Sequence, residues 1–201
     1  MVGLRERKKQ RTRRALIEAA LRLFDEKGFE ETTLAEIAAE ADVSTRTFFS
    51  YFASKEDVVF YDSDERMDVA LALLARRAPE DSPADVLIKI INDSLDWSAA
   101  QEELTFEDAE LRLRLVLTEP TLQARALQRL FDTQLRLARG LHEAYADRLT
   151  LIDSAAAVGA LVGSVKLAVM ANMEHDRSLD QVWSTARRAA EITLSGLRSL
   201  R

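Results

Sequence analysis

The chain contains no cysteine, so disulfides, thiolate metal sites and cysteine nucleophiles are all excluded. Its two histidines, His142 and His175, stand apart. No nucleophile–base pair or ligand cluster is spelled out, and neither an enzyme nor a metal or cofactor site is expected. The acidic run Asp62, Asp64, Glu65 and Asp68 has the spacing of a weak cation site on one helix, but a solvated acidic face is the commoner meaning of such a run. Six glycines and three prolines in 201 residues leave few natural breaks and favour helices over many short strands. No basic-then-apolar segment opens the chain, since charge follows Met1 within a few residues. The apolar run 155–165 is short for a bilayer and ends at Lys166. A cytoplasmic protein with no membrane partner is expected.

What is present is unevenly distributed. Residues 1–55 hold 11 Lys and Arg against 9 Asp and Glu, whereas the whole chain carries a net charge of −6. Arg5, Arg7, Lys8, Lys9, Arg11, Arg13 and Arg14 face a single acid, Glu6. A basic arm on an acidic body suits a polyanionic partner engaged at one end, although a solvated tail has the same composition.

Punctuation is densest in the same region. Leu16, Ile17, Ala20, Leu21 and Phe24 form an apolar stripe at helical spacing and predict a first helix over 9–27. Gly28 follows as a left-handed stop. Thr33 with Glu36 three residues on is a capping box for a second helix, whose inner face is Leu34, Ile37, Ala38 and Ala41. Ser44 is an N-cap for a third, with Phe48 and Phe52 on its inner face. Ser54 and Asp57 repeat the box at the start of a fourth, expected over 55–77. Ser82-Pro83 opens a fifth that continues through Trp97. Leu111 to Leu117 alternates like a strand, but a lone strand has no partner here and a helix is expected. Long helices follow over 120–147, 153–173 and 179–197, the last with a Ser178–Gln181 box.

Two short helices joined by a tight corner at Asp42-Val43 make a helix-turn-helix, in which the second helix enters the major groove of duplex DNA. Outward at its N-terminal end stand Ser44, Thr45, Arg46 and Thr47, then Phe49, Ser50 and Tyr51. Arg46 is the one side chain here able to pair bidentately with guanine O6 and N7, and the threonines can donate to bases or phosphates and touch thymine methyls. Thr33 and Lys55, at helix N-termini, are placed to hold phosphates. Each has a plainer alternative: Thr33 and Ser44 as caps, Phe49 as a packing residue, Arg46 as ordinary surface.

The stretch 14–57, with ALIEAALRLFDEKGFEETTLAEIAAEADVS followed by TFFSYFASKED, resembles the DNA-binding domain of the tetracycline-repressor (TetR) family of bacterial transcription regulators. The resemblance implies backbone contacts to DNA from Thr33, Phe49, Tyr51 and Lys55 and base contacts from Thr45, Arg46 and Thr47. Two positions depart from the family pattern. Asp42-Val43 stands where glycine-valine is frequent, and Phe49 stands where tyrosine is frequent and so lacks a phosphate-bonding hydroxyl.

The resemblance further implies an all-α protein with a helix-turn-helix DNA-binding domain and basic arm over 1–54 and a helical ligand-binding and dimerisation domain over 55–201. Its partners would be a palindromic operator in double-stranded DNA, a second copy of itself and a small-molecule effector. Ligand-responsive repression is the family default; activation, or a helical interaction module without DNA binding, are the alternatives. Ala155, Gly159 and Gly163 at four-residue intervals, and the stripe Val182, Ala186, Ala189, Thr193 and Leu197, are the expected dimer surfaces, with an intrachain core as the alternative. Trp97, Phe106, Phe131, Tyr145 and Met170 are candidates to line an effector pocket, with Arg112 and His142 as its polar groups, though each residue type is equally at home in a core.

Overall fold

The computed structural model describes residues 3–100, 106–173 and 179–197; the side chains at 95–100, 106, 107, 109, 173, 179, 180 and 197 lie outside the described set. Every regular element among the described residues is a helix. The chain forms two compact units, residues 1–63 with 102–126 and residues 64–101 with 127–201. The first opens with α1 (Leu4–Lys27), α2 (Leu34–Glu40), α3 (Thr45–Phe48) and α4 (Lys55–Val59). The second takes α5 (Ser63–Ala75), apart from its first residue, and α6 (Pro83–Ala100). The chain then returns to the first unit for α7 (Phe106–Thr118) and the start of α8 (Pro120–Ala144). The remainder of α8, α9 (Leu151–Met173) and α10 (Leu179–Leu197) complete the second.

In the first unit the α1 stripe is buried against Ile37 and Ala38 of α2, Phe48 of α3 and Val58 and Val59 of α4. Leu111, Leu115 and Leu122 join the same core, so the alternating segment is indeed helical and turns one face inward. Gly28 adopts φ 90°, and its N–H donates 3.1 Å to the Phe24 carbonyl, ending α1. The unit runs on past Ser54 because Val58 and Val59 belong to this core.

Three boundaries differ from the sequence reading. α1 starts at Leu4 rather than near residue 9, so the basic arm is the first turns of a helix. The single helix expected over 55–77 is two helices. After Val59 the chain turns through Phe60 (φ −107°, ψ 25°), and the carbonyls freed by the turn find side-chain donors. Arg112 Nε donates 2.9 Å to Val59 O, and Arg13 donates 2.5 Å to Tyr61 O. α9 begins two residues early, on an unforeseen capping box in which Thr150 N–H and hydroxyl both donate to Asp153 and Asp153 N–H returns to Thr150 Oγ1. The Ser178 half of the box expected for α10 lies outside the described residues.

In the second unit Leu74, Leu87, Leu141, Val158, Leu161 and Leu194 are almost fully buried in one core. The α10 stripe expected to face a second copy faces α9 instead. Val182, Ala186 and Ala189 are buried, and Thr193 donates 2.6 Å to Ser164 Oγ; Leu197 lies outside the described side chains. The stripe's small residues let the two helices approach within the chain, which is why it is apolar. The opposite face of α9 is uncovered: Ile152, Leu167 and Met170 are exposed, as are Ala155 and Gly163. Over 151–172 this helix is long and apolar enough to cross a membrane, and of that stretch Ser154, Ala157, Val158 and Leu161 are buried. The shorter span 155–165 therefore understated it, because single polar residues such as Lys166 do not interrupt the apolar average.

Candidate nucleic-acid interface

The interface is built from two helix caps and the turn between them. Thr33 opens α2: its Oγ1 accepts from Glu36 N–H at 3.3 Å, while its own N–H and hydroxyl donate to Glu36 Oε2 at 2.9 and 2.8 Å. Lys27 pairs with the same carboxylate from α1. Hydrogen bonding from Lys27 first, then from the Thr33 backbone and hydroxyl, lowers the Glu36 pKa to about 2. The Thr33 hydroxyl is thus engaged as a cap, with its lone pair and proton both directed to Glu36.

Between α2 and α3 the chain turns at Asp42, which has φ 54°, the one positive φ on a non-glycine residue among those described. The corner so formed closes with Val43 N–H donating 2.9 Å to Ala38 O and Asp42 N–H 3.0 Å to Ala39 O. The left-handed turn that glycine makes easily is therefore kept with aspartate, whose short polar side chain tolerates that region better than most.

Ser44 then caps α3. Its Oγ accepts from Thr47 N–H at 3.1 Å and lies 2.9 Å from the Thr47 hydroxyl. Phe48 is fully buried and packs on Phe52 with ring centroids 5.8 Å apart, which sets the rotation of α3 on the core. That rotation exposes Thr45, Arg46, Phe49 and Ser50 and leaves Thr47 and Tyr51 half-buried. The Arg46 guanidinium has no hydrogen-bond or ion-pair partner among the described residues, so its five donors remain available. Phe49 is 56% exposed, its ring edge-on to Phe48. It is not a core residue: one edge packs on Phe48 and the rest of the ring faces outward. Lys55, expected on a phosphate, directs its ammonium to backbone carbonyls of the α1–α2 turn.

The family model described as bacterial regulatory proteins, tetR family, matches residues 16–61, from the α1 stripe to Tyr61. Those residues form a TetR-family N-terminal domain. The transcriptional regulator TcmR of Streptomyces glaucescens is 38% identical over 140 residues, which is 68% of this chain and 62% of that protein. The regulator HbdR of an Aromatoleum species is 46% identical over 48 residues, 24% of this chain and 21% of that protein. The chain thus spans less than two thirds of the length of the curated relatives it matches first. Among solved structures, a TetR-family regulator of Syntrophomonas wolfei superposes with TM-score 0.61 at 19% identity, covering 96% of this chain and 95% of that one. The complex of SmeT with triclosan superposes with TM-score 0.60 at 18% identity, covering 92% and 90%. These show the TetR-family fold across both units.

Outside the TetR-family helix-turn-helix the expected effector residues are dispersed. Arg112 belongs to the first unit, paired with Asp62 at 2.8 Å. Tyr145 is buried in the second, its hydroxyl donating 2.9 Å to Asp81 O, and burial raises its pKa. His142 Nδ1 lies 2.8 Å from Leu149 O. Phe131 and Met170 are 63% and 52% exposed, and the Trp97 and Phe106 side chains lie outside the described set. A narrow groove of about 10 Å³ between α5 and α6 is lined instead by Arg66, Val69, Ala70, Leu73, Ile90, Asp93 and Ser94, none of them expected from the sequence. The signal available was Arg66 one helical turn before Ala70 on an otherwise apolar face.

Proposed function

We propose that the chain is a cytoplasmic transcriptional regulator that binds a palindromic operator as a homodimer and acts as a ligand-responsive repressor. The observation that carries this reading is the exposed, unpartnered Arg46 beside Thr45 on the first turn of α3, held outward by the buried Phe48. A guanidinium so placed meets guanine O6 and N7 when α3 lies in a major groove. Thr47, Phe49 and Tyr51 flank it, Thr47 toward a base, the Tyr51 hydroxyl toward a phosphate and the Phe49 ring toward a thymine methyl or a sugar.

The second unit supplies dimerisation and effector binding in this reading. The exposed α9 face with Ile152, Ala155, Gly163, Leu167 and Met170, continued by Ile192 of α10, is an apolar surface suited to a second copy, and two copies present two α3 helices to successive grooves about 34–36 Å apart. The effector would enter between α5 and α6, where Arg66 and Asp93 offer charge in an apolar setting. At about 10 Å³ the groove holds little more than one water, so an effector would have to open it. Support for an effector comes from related folds, one solved with triclosan and another, from Thermus thermophilus, with lauroyl-CoA.

Selection of bound sequences from random duplex DNA tests the reading directly. The expected product is an inverted repeat, bound with an affinity that falls steeply as salt rises. Arg46→Ala is expected to lose about 1–3 kcal/mol of discrimination at one base pair per half-site. Equal loss on selected and random DNA would show that Arg46 does not read bases.

A further inference from the structure

Lys55 opens α4 and is half-buried. Its Nζ lies 2.6 Å from Phe29 O, 3.1 Å from Thr32 O and 3.2 Å from Glu30 O. It also sits 4.4 Å from the centroid of the Phe29 ring, whose centroid in turn lies 4.9 Å from that of Phe24. An ammonium has three N–H donors and no acceptor. Three converging carbonyls therefore use all of them, and none is left for a phosphate.

The three carbonyls belong to the turn that joins α1 to α2. Thr32 satisfies the inner side of that turn, donating its one hydroxyl proton to Gly28 O at 2.8 Å with Leu23 O 3.2 Å from the same Oγ1, and its N–H to Phe29 O at 3.3 Å. Lys55 satisfies the outer side from an element 23 to 26 residues away. The next residue, Thr33, is the N-cap of α2. The position at which α2 begins is thus tied to the start of α4 through one ammonium.

We infer that Lys55 is a positioning residue for DNA binding, a tripod that fixes the α1–α2 turn and the Thr33 end of α2 against α4, and that it is not itself a phosphate ligand. This rests on the DNA-binding reading proposed above. The tripod is complete without DNA, and moving Nζ to a phosphate would strip three carbonyls, two of them part-buried, of a charged donor. The geometry is specific to an ammonium. A guanidinium is a flat fork that suits a phosphate at least as well but cannot point three donors at a tripod of carbonyls.

Two experiments test this. In the free full-length chain, lysine acylation followed by mass spectrometry is expected to modify Lys55 at least about tenfold more slowly than the exposed Lys8 and Lys9, as two or more net hydrogen bonds require, with or without DNA. Equal rates in the free chain, with protection of Lys55 appearing only on adding DNA, overturn the inference. On the selected operator, Lys55→Met and Lys55→Arg are each expected to lose about tenfold in affinity, one lost net interaction of ordinary size, while keeping the wild-type slope of log K against log salt. A slope shallower by about 0.9 in Lys55→Met, the signature of one lost phosphate contact, or wild-type affinity in Lys55→Arg, overturns it as well. If the wild-type chain binds no DNA, the DNA reading fails, and the acylation contrast still decides the tripod.

Discussion

Arg112 of α7 and Asp62, 50 residues earlier in the chain, form a 2.8 Å ion pair with side chains 19% and 8% exposed. The same guanidinium donates to Val59 O and lies 4.5 Å from the centroid of the Tyr61 ring, while Arg13 of α1 stands 5.3 Å from that ring. One aromatic ring between two arginines, and two carbonyls capped by those arginines, hold the chain where α4 stops short of α5.

Removing Arg112 takes a charged partner from the buried Asp62 and the donor from Val59 O. Arg112→Ala is expected to lower the unfolding free energy by about 3 kcal/mol, the range for breaking a buried pair from one side, as read by urea denaturation. Arg112→Lys should recover little of it, since a single ammonium cannot reproduce the fork that serves Val59 O and Asp62 together.

Glu36 links stability to acid. Its folded pKa of about 2 lies below the ordinary 4.5, held down by Lys27 and Thr33. A depressed carboxyl pKa contributes stability that is fully present above the unfolded value and is lost as pH falls through the folded one. Thermal midpoints are therefore expected to fall between about pH 4.5 and 2, with a shallower fall for Glu36→Gln. Identical profiles for the two proteins would remove Glu36 from the acid response.

Asp42 carries the left-handed turn of the helix-turn-helix without the freedom of glycine. Asp42→Gly is expected to stabilise by up to about 1 kcal/mol, and Asp42→Val to destabilise by about 1–2 kcal/mol. Equilibrium unfolding of the pair against wild type measures both, and equal effects of opposite side-chain type would contradict the backbone origin.

The uncovered face of α9 is the expected seat of self-association. Leu167→Glu places a charge between Gly163 and Met170 on this face and is expected to weaken the dimer at least tenfold, since an unpaired charge buried in an apolar contact costs more than about 1.4 kcal/mol. Sedimentation at graded concentrations reads the change, and an unaltered equilibrium would place the interface elsewhere.

What the sequence made legible was local. Thr33, Ser44, Ser54 and Ser82 all cap as read, because a hydroxyl reaching an N–H three residues on needs nothing from the rest of the chain. The α10 stripe was also visible, but an apolar stripe does not say whether it meets its own chain or another, and here α9 lies under it. The break after Val59 was hidden because its causes, Arg13 and Arg112, lie 48 and 53 residues from the carbonyls they cap. Lys55 was hidden the same way: its position at a helix start suggested a phosphate, and only the folded turn reveals three carbonyls within reach.

The helical start of α1 has its own consequence. Because Arg5, Lys8 and Lys9 lie on one side of a helix beginning at Leu4, they fall within about 6 Å along its axis. That is less than the roughly 8 Å over which physiological salt screens charge. A polyanion therefore meets them as one multivalent cation, and their hold weakens as a group when salt rises. Arg13, turned inward to Tyr61 O, anchors this charged rod without adding to it.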